Sequence, residues 1–283
     1  MIRSHKDGWM TILVLIIFLT FFPNQIFSKT TRTSKSPQAS PKAQTSEKAE
    51  PSKASQTGPG GLQCDAESAV LMDGLTGQVL YGQNPNLKIP PASFVKVMTL
   101  YLVYDAIRAG QLKMDDLVTV SERAWNRAWK TDSSKMFIKV GDRVKVDDLM
   151  KGVAIASGND ACVALAEHLS GSEEAFVSKM NEKAKLLGLK DSQFKNSDGM
   201  PAEGQYITTL DMAILSKRYI EDYPEALVLH STVEFEYNGI RQGNRNTLLQ
   251  KNIGVDGLKT GHVEESGYHL VATAKRDGQR MIA

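Results

Sequence analysis

Ser93 and Lys96 stand three residues apart, among Phe94, Val95, Val97 and Met98. On a helix, residues i and i+3 share a face. A lysine in such a run has little apolar reason to be there. Burial disfavours the ammonium, so a neutral amine beside the hydroxyl could take its proton and make Ser93 a nucleophile. A helix N-terminus at that point would favour the negative charge that develops. The same spacing also fits a capping serine with a surface lysine, and Ser192 and Lys195 repeat it in a polar segment. Ser157-Gly158-Asn159 is the chain's one Ser-x-Asn; a hydroxyl and an amide can project from a fixed bend there, or simply cap a helix. Lys259-Thr260-Gly261 is the one Lys-Thr-Gly. Lysine and threonine can bind a carboxylate, and the glycine lets another chain approach a strand edge closely. Each group has a bland reading alone; all three, in this order, are hard to assign to chance.

Elements must position these groups. Residues 68–72 read as a buried strand, and Asp73-Gly74 with Thr76-Gly77 bracket a turn before a return strand over 78–81. Pro90-Pro91 breaks the chain. Residues 93–108, closed by Gly110, predict a helix that is apolar on nearly all sides and therefore central. Further helices fit 146–155, 160–169, 173–187 and 209–219, which places Ser157 and Asn159 in a turn between two of them. Strands fit 254–260, 267–274 and 280 onward, so Lys259-Thr260-Gly261 is expected at a strand end. Two strands, a long helical stretch and strands again predict an α/β (α+β) fold. One antiparallel sheet is built from both chain ends, with an inserted helical subdomain.

Composition divides the 283 residues into three zones. Arg3, His5 and Lys6 precede the 13 uncharged residues Met10–Phe22, too short for a comfortable membrane span but suited to an export signal, cleaved or retained as an anchor, over 1–28. Residues 29–61 lack Val, Ile, Leu, Phe, Tyr and Trp, so 29–62 are expected to form a disordered Ser/Lys/Pro/Ala-rich linker. The folded zone is 63–283. The chain carries net +2; the first two zones carry +1 and +4, leaving the folded zone at −3. A nucleic-acid-binding domain would concentrate its basic charge on the folded surface, so that class is excluded. Two cysteines exclude a disulfide scaffold, although export permits a bond between Cys64 and Cys162. Cys162, on an apolar helix, is expected in the core. The five histidines show no zincin spacing, and no metal or cofactor is expected. Trp125 and Trp129, four apart, would share a helix face and pack together.

Ser-x-x-Lys, Ser-x-Asn and Lys-Thr-Gly form a signature shared by penicillin-binding proteins and class A β-lactamases. The likeness extends to Pro91-Ala92-Ser93, to residues 157–167, to Asn244-Arg245-Asn246 and to residues 255–262. Over roughly 64–283 the chain resembles serine-type D-alanyl-D-alanine carboxypeptidases of the low-molecular-mass class. The resemblance implies that Ser93 forms an acyl-enzyme with a peptidoglycan stem peptide, releasing its last D-Ala, and that Lys96 is the general base. It implies that Ser157 relays a proton to the leaving amine, that Asn159 holds the substrate backbone and that Lys259 supports the network electrostatically. Thr260 and Gly261 would lie beside the substrate, with the N–H groups of Ser93 and His262 as the oxyanion hole. β-Lactam antibiotics would acylate Ser93. Export to the cell envelope follows, in the periplasm or at the outer face of the cytoplasmic membrane, with association with that membrane.

The resemblance also sets expectations for the chain's end. Related proteins continue past a strand that here begins at Arg280, and the arginine they use for the substrate carboxylate lies further on, so the chain reads as a fragment that folds poorly alone. A class A β-lactamase would need a glutamate in the stretch Phe194–Pro201, where none occurs before Glu203. An endopeptidase of D-Ala cross-links, or a non-catalytic wall-binding protein of the same fold, are the other readings.

Overall fold

The computed structural model describes residues 64–131 and 133–283. The expected signal over 1–28 and the linker over 29–62 lie outside the described residues. Residues 66–283 form one unit.

The chain opens with the expected hairpin, β1 (Ala69–Asp73) and β2 (Val79–Gln83). Asp73 Oδ1 accepts the backbone N–H groups of Leu75 and Thr76 and closes the turn. A short 3-10 turn, Ala92–Phe94, then leads into α1 (Val95–Arg108). Ten of its fourteen residues are buried, so it is the central helix, as its all-round apolarity predicts. The α-helix starts two residues later than expected because Ala92, at φ +47°, turns the chain before Ser93.

The helical region continues with α2 (Glu122–Trp129), α3 (Val146–Ala154), α4 (Asn159–Ser170), α5 (Glu173–Leu186), α6 (Thr209–Asp222) and α7 (Ala226–Ser231). Side-chain oxygens of Ser121, Ser172 and Thr208 accept the N3 backbone N–H of α2, α5 and α6. Helix α2 stacks Trp125 on Trp129 at 6.0 Å, as their spacing predicts. Two small ribbons accompany the helices, β3 (Leu117–Thr119) with β4 (Arg143–Lys145) and β5 (Glu234–Tyr237) with β6 (Ile240–Gly243). On α1 and α6 a cluster of Tyr101, Tyr104, Tyr219 and Tyr223 locks the two helices together.

The chain returns to the sheet through β7 (Val255–Val263), β8 (Gly267–Arg276) and β9 (Gln279–Ile282). The order is β2-β1-β9-β8-β7, all antiparallel, so the sheet is indeed built from both chain ends. Residues from Gln279 do more than begin a strand: Met281 and Ile282 pair with Asp73 and Met72 on one side and with β8 on the other. Arg280 forks onto the Asp256 carboxylate at 2.8 and 2.7 Å. Cys64 and Cys162 are both free thiols, so the bond that export permits is absent; Cys162 is wholly buried in α4.

His230, on α7, is wholly buried and ties that helix to β7: Nδ1 lies 3.0 Å from the Leu258 carbonyl and Nε2 3.2 Å from the Tyr219 hydroxyl. Burial pushes its pKa down to about 4. In the unfolded chain an imidazole titrates near 6.5. The unfolded state therefore takes up the proton first as pH falls, and stability is lost between about pH 6.5 and 4, by about 3 kcal/mol. Urea unfolding at pH 7 and pH 4 is expected to show this extra loss in the wild type and not in His230→Gln. Equal acid slopes in both would refute it.

Candidate active site

The 3-10 turn, α1, the α3–α4 turn and β7 converge on Ser93. Lys96 follows Ser93 by one helical turn and puts Nζ 3.0 Å from Ser93 Oγ. Ser157 Oγ donates to the same oxygen at 3.0 Å, from a residue held at φ +59°. The hydroxyl thus has a basic nitrogen on one side and a second hydroxyl on the other. Lys96 is wholly buried, which excludes the surface-lysine alternative. Ser93 makes no capping bond; the first α-helical residue is Val95.

Burial holds the Lys96 ammonium below its ordinary pKa, with the fields of Cys162 and Asp198 opposing and those of Arg245 and Arg127 reinforcing. Lys259, also buried, is held well below its ordinary value by burial and by the charges of Lys96 and Arg245. Two neighbouring amines each disfavour the other's charge, so a neutral amine beside Ser93 is accessible. Such an amine can accept the serine proton.

Asn159 opens α4 and is nearly buried. Its Nδ2 donates to Ser133 Oγ at 2.8 Å, and its Oδ1 has no partner among the described residues. Neither Ser157 nor Asn159 caps a helix; Gly158 stands at the cap position without a side-chain bond. Lys259-Thr260-Gly261 lies inside β7 rather than at its end, because the ladder with β8 runs on through His262 and Val263. The chain that comes close to Gly261 is the protein's own Ala92-Ser93 segment. A Cβ on Gly261 would stand 3.1 Å from Ala92 Cβ and 3.3 Å from Ser93 N. β7 is an outer strand of the sheet, so its free edge borders Ser93. His262 is exposed beside it, its ring 4.4 Å from that of Tyr268.

The structure brings Lys96 and Ser157 to the Ser93 hydroxyl, sets Gly261 against Ser93 N and places Lys259 within the field of Lys96, while Asn159, Thr260 and His262 adjoin these residues along the chain. It adds three contributions to which the sequence reading gave no role. Asn244 and Asn246 are buried braces, donating to the carbonyls of His230, Thr232 and Gly257, and they present Arg245, whose field reaches both site lysines. The segment Ser197-Asp198 offers carbonyls to Thr99 Oγ1 and Lys96 Nζ. Gly199, at φ +86°, lies directly against Ala92.

Comparison with known proteins agrees with this geometry. The family model described as D-alanyl-D-alanine carboxypeptidase matches residues 51–283. The D-alanyl-D-alanine carboxypeptidase DacC of Escherichia coli is 48% identical over 223 residues, covering 77% of this chain and 56% of that protein. The crystal structure of penicillin binding protein 5 from Haemophilus influenzae superposes with a TM-score of 0.76 at 44% identity, covering 78% of this chain and 64% of that one. Penicillin-binding protein D2 of Listeria monocytogenes, solved in its ampicillin-bound form, superposes with a TM-score of 0.70 at 31% identity, over 78% and 88%. The chain belongs to the serine D-alanyl-D-alanine carboxypeptidase family, peptidase S11, and has the penicillin-binding transpeptidase fold. It spans little more than half the length of the curated relatives it matches.

A side chain at Gly199 would place its Cβ 1.7 Å from the Ala92 carbonyl oxygen, in a backbone conformation that also opposes it. Gly199→Ala is expected to cost about 3 kcal/mol or more and to lower Tm by about 6–12 °C. Gly204→Ala is the control: it also has positive φ, but meets only the flexible end of Lys195, at 3.5 Å. It should lower Tm by half as much or less. Equal melting shifts would show that the approach to Ala92 is not tight.

Proposed function

We propose that this chain carries the catalytic part of a serine-type D,D-carboxypeptidase that trims the D-Ala-D-Ala ends of peptidoglycan stem peptides. One observation carries the reading: a buried, charge-depressed lysine amine and a second hydroxyl both stand 3.0 Å from one serine oxygen. Family membership and the ampicillin-bound relative support it.

In this reading Lys96 takes the Ser93 proton as Oγ attacks the carbonyl of the penultimate D-Ala. The tetrahedral oxyanion sits between the N–H groups of Ser93 and His262, donors worth a few kcal/mol in such sites. Ser157 Oγ gives its proton to the departing D-Ala amine and regains one from the Lys96 ammonium; water then cleaves the ester and restores the Ser93 hydroxyl. The substrate backbone lies along the free edge of β7, beside Thr260 and Gly261. Asn159 holds it through Oδ1, the atom left without a partner. Burial keeps the Lys96 charge disfavoured, with Arg245 and Arg127 reinforcing, and Lys259 supports the network electrostatically. Arg245 joins Thr260 in binding the terminal carboxylate, supported by the reach of its charge to both site lysines. β-Lactams, which mimic the D-Ala-D-Ala end, acylate Ser93. The export reading of residues 1–28 places the protein in the cell envelope, associated with the cytoplasmic membrane.

Intact mass after incubation with benzylpenicillin is expected to show one penicilloyl adduct on the wild type and none on Ser93→Ala. D-Ala release from a stem pentapeptide should fall at least a thousandfold in the same variant. An adduct that persists on a folded Ser93→Ala would refute the assignment of the nucleophile. Adduct formation without D-Ala release would favour the non-catalytic wall-binding reading.

A further inference from the structure

Lys96 is supported by main chain that has no regular structure of its own. Its Nζ donates to the Asp198 carbonyl, and Thr99 Oγ1, one turn further along α1, donates to the Ser197 carbonyl at 2.6 Å. Residues 194–200 lie outside any helix or strand. What fixes those two carbonyls is a ring of side chains. Glu173 Oε1 accepts both the N–H and the hydroxyl of Ser197, at 3.0 and 2.8 Å. Arg127 Nη2 donates to Glu173 Oε2 at 2.6 Å, and its Nη1 donates to Asp198 Oδ2 at 2.9 Å. The circuit from Arg127 to Asp198, along the chain to Ser197, and through Glu173 back to Arg127 is closed. Glu173 and Asp198 are buried to 2% and 1% exposure.

Buried carboxylates need partners, and one guanidinium here serves two of them at once through its planar fork. A ring whose only purpose was to join α2 to α5 would not need Asp198. This one includes the residue whose carbonyl receives the Lys96 amine. We infer that Arg127 is a positioning residue for Lys96, closing with Glu173 and Asp198 the ring that sets the Asp198 carbonyl beneath the amine. The inference rests on the reading of Ser93 and Lys96 as nucleophile and base.

The charges and titratable groups facing Lys96 are Arg127 from α2, Cys162 from α4, Asp198 from its loop, Arg245 from the segment after β6 and Lys259 from β7. Burial pushes the Cys162 thiol up to about 12, so it is neutral. Removing Arg127 takes away one cation and leaves the Asp198 carboxylate uncompensated. Lys96 then keeps its proton to higher pH, and the acid limb of the acylation profile moves up. Asp198→Asn keeps the carbonyl but removes an anion, and moves the limb down. A ring that merely held helices together would lower stability in both variants without moving the limb in opposite directions.

The test is the second-order rate of benzylpenicillin acylation of the full chain, followed by intact mass from pH 5 to pH 9. Arg127→Ala is expected to be at least tenfold slower at pH 7, with its acid limb about one pH unit higher. Arg127→Lys, which keeps the charge, should recover to within about threefold. Asp198→Asn should shift the limb down by about half a unit. Limbs that stay at the wild-type position in Arg127→Ala and Asp198→Asn would overturn the inference, whatever their rates and melting temperatures. If Arg127→Ala does not fold, the limb of Asp198→Asn decides. A wild type that forms no adduct refutes the underlying assignment of Ser93 and Lys96; a wild type that does, beside unmoved limbs, refutes only the role of Arg127.

Discussion

A lysine amine sealed inside the protein against a serine hydroxyl is the constraint from which the rest of this structure follows. Taking an ammonium out of water is costly, and proteins answer by neutralising the group or surrounding it with acceptors. Both answers are present. Burial, reinforced by Arg245 and Arg127, opposes a charge on Lys96, while the Asp198 carbonyl receives its N–H. The apolarity of α1 on nearly every side is the other half of the same constraint: it excludes water from Lys96 and leaves Ser93, at the helix entry, as the point where the site opens. Glycines sit where the main chain comes close to Ala92 and Ser93, Gly261 from the sheet and Gly199 from the loop.

Helix α2 and the segment after it hold the site from two directions. Arg127 reaches the loop beneath Lys96, and the following segment grips the turn that carries Ser157 and Asn159. There Ser134 accepts the Asn159 backbone N–H at 2.8 Å, and the buried Asp160 carboxylate accepts the N–H groups of Met136 and Phe137. A side chain at Gly158 would meet Asp160 Oδ1 at 2.9 Å and Met136 N at 3.0 Å. The lysine and the Ser-x-Asn turn come from separate elements, yet one helix and its exit segment brace both.

The sheet, the central helix and the three groups around Ser93 were legible in the sequence, because each rests on strong local signals. The apolar run from Phe94, the breaks at Pro90-Pro91 and Gly110, and the residue types of Lys-Thr-Gly need no knowledge of distant contacts. The bracing was not legible. Arg127, Glu173 and Asp198 sit in polar segments that read as solvated, and their burial arises only when α2, α5 and the loop at 194–200 meet. The stretch from Phe194 to Pro201 was informative in sequence only for the glutamate it lacks; its carbonyls, which matter most, have no residue signature. The ribbons β3–β4 and β5–β6 run three or four residues per strand, too short for alternation to show. A strand over 254–260 puts Lys-Thr-Gly at its end, whereas β7 runs on to Val263 and Gly261 lies where Ala92 approaches closely.

Strand β9 joins the first hairpin to the remainder of the sheet with four residues that lie nearly two hundred positions further along the chain. The hairpin itself is a local structure and closes quickly; its insertion is as non-local as this chain allows, and such pairings form late. Until then β1 and β8 each expose a row of unpaired N–H and C=O groups, the kind of edge that recruits a strand from another molecule. The species most open to strand exchange is therefore one with its helices and both hairpins formed and a single narrow gap in the sheet. Met281 and Ile282, paired with β1 on one side and β8 on the other, are the residues that close that gap.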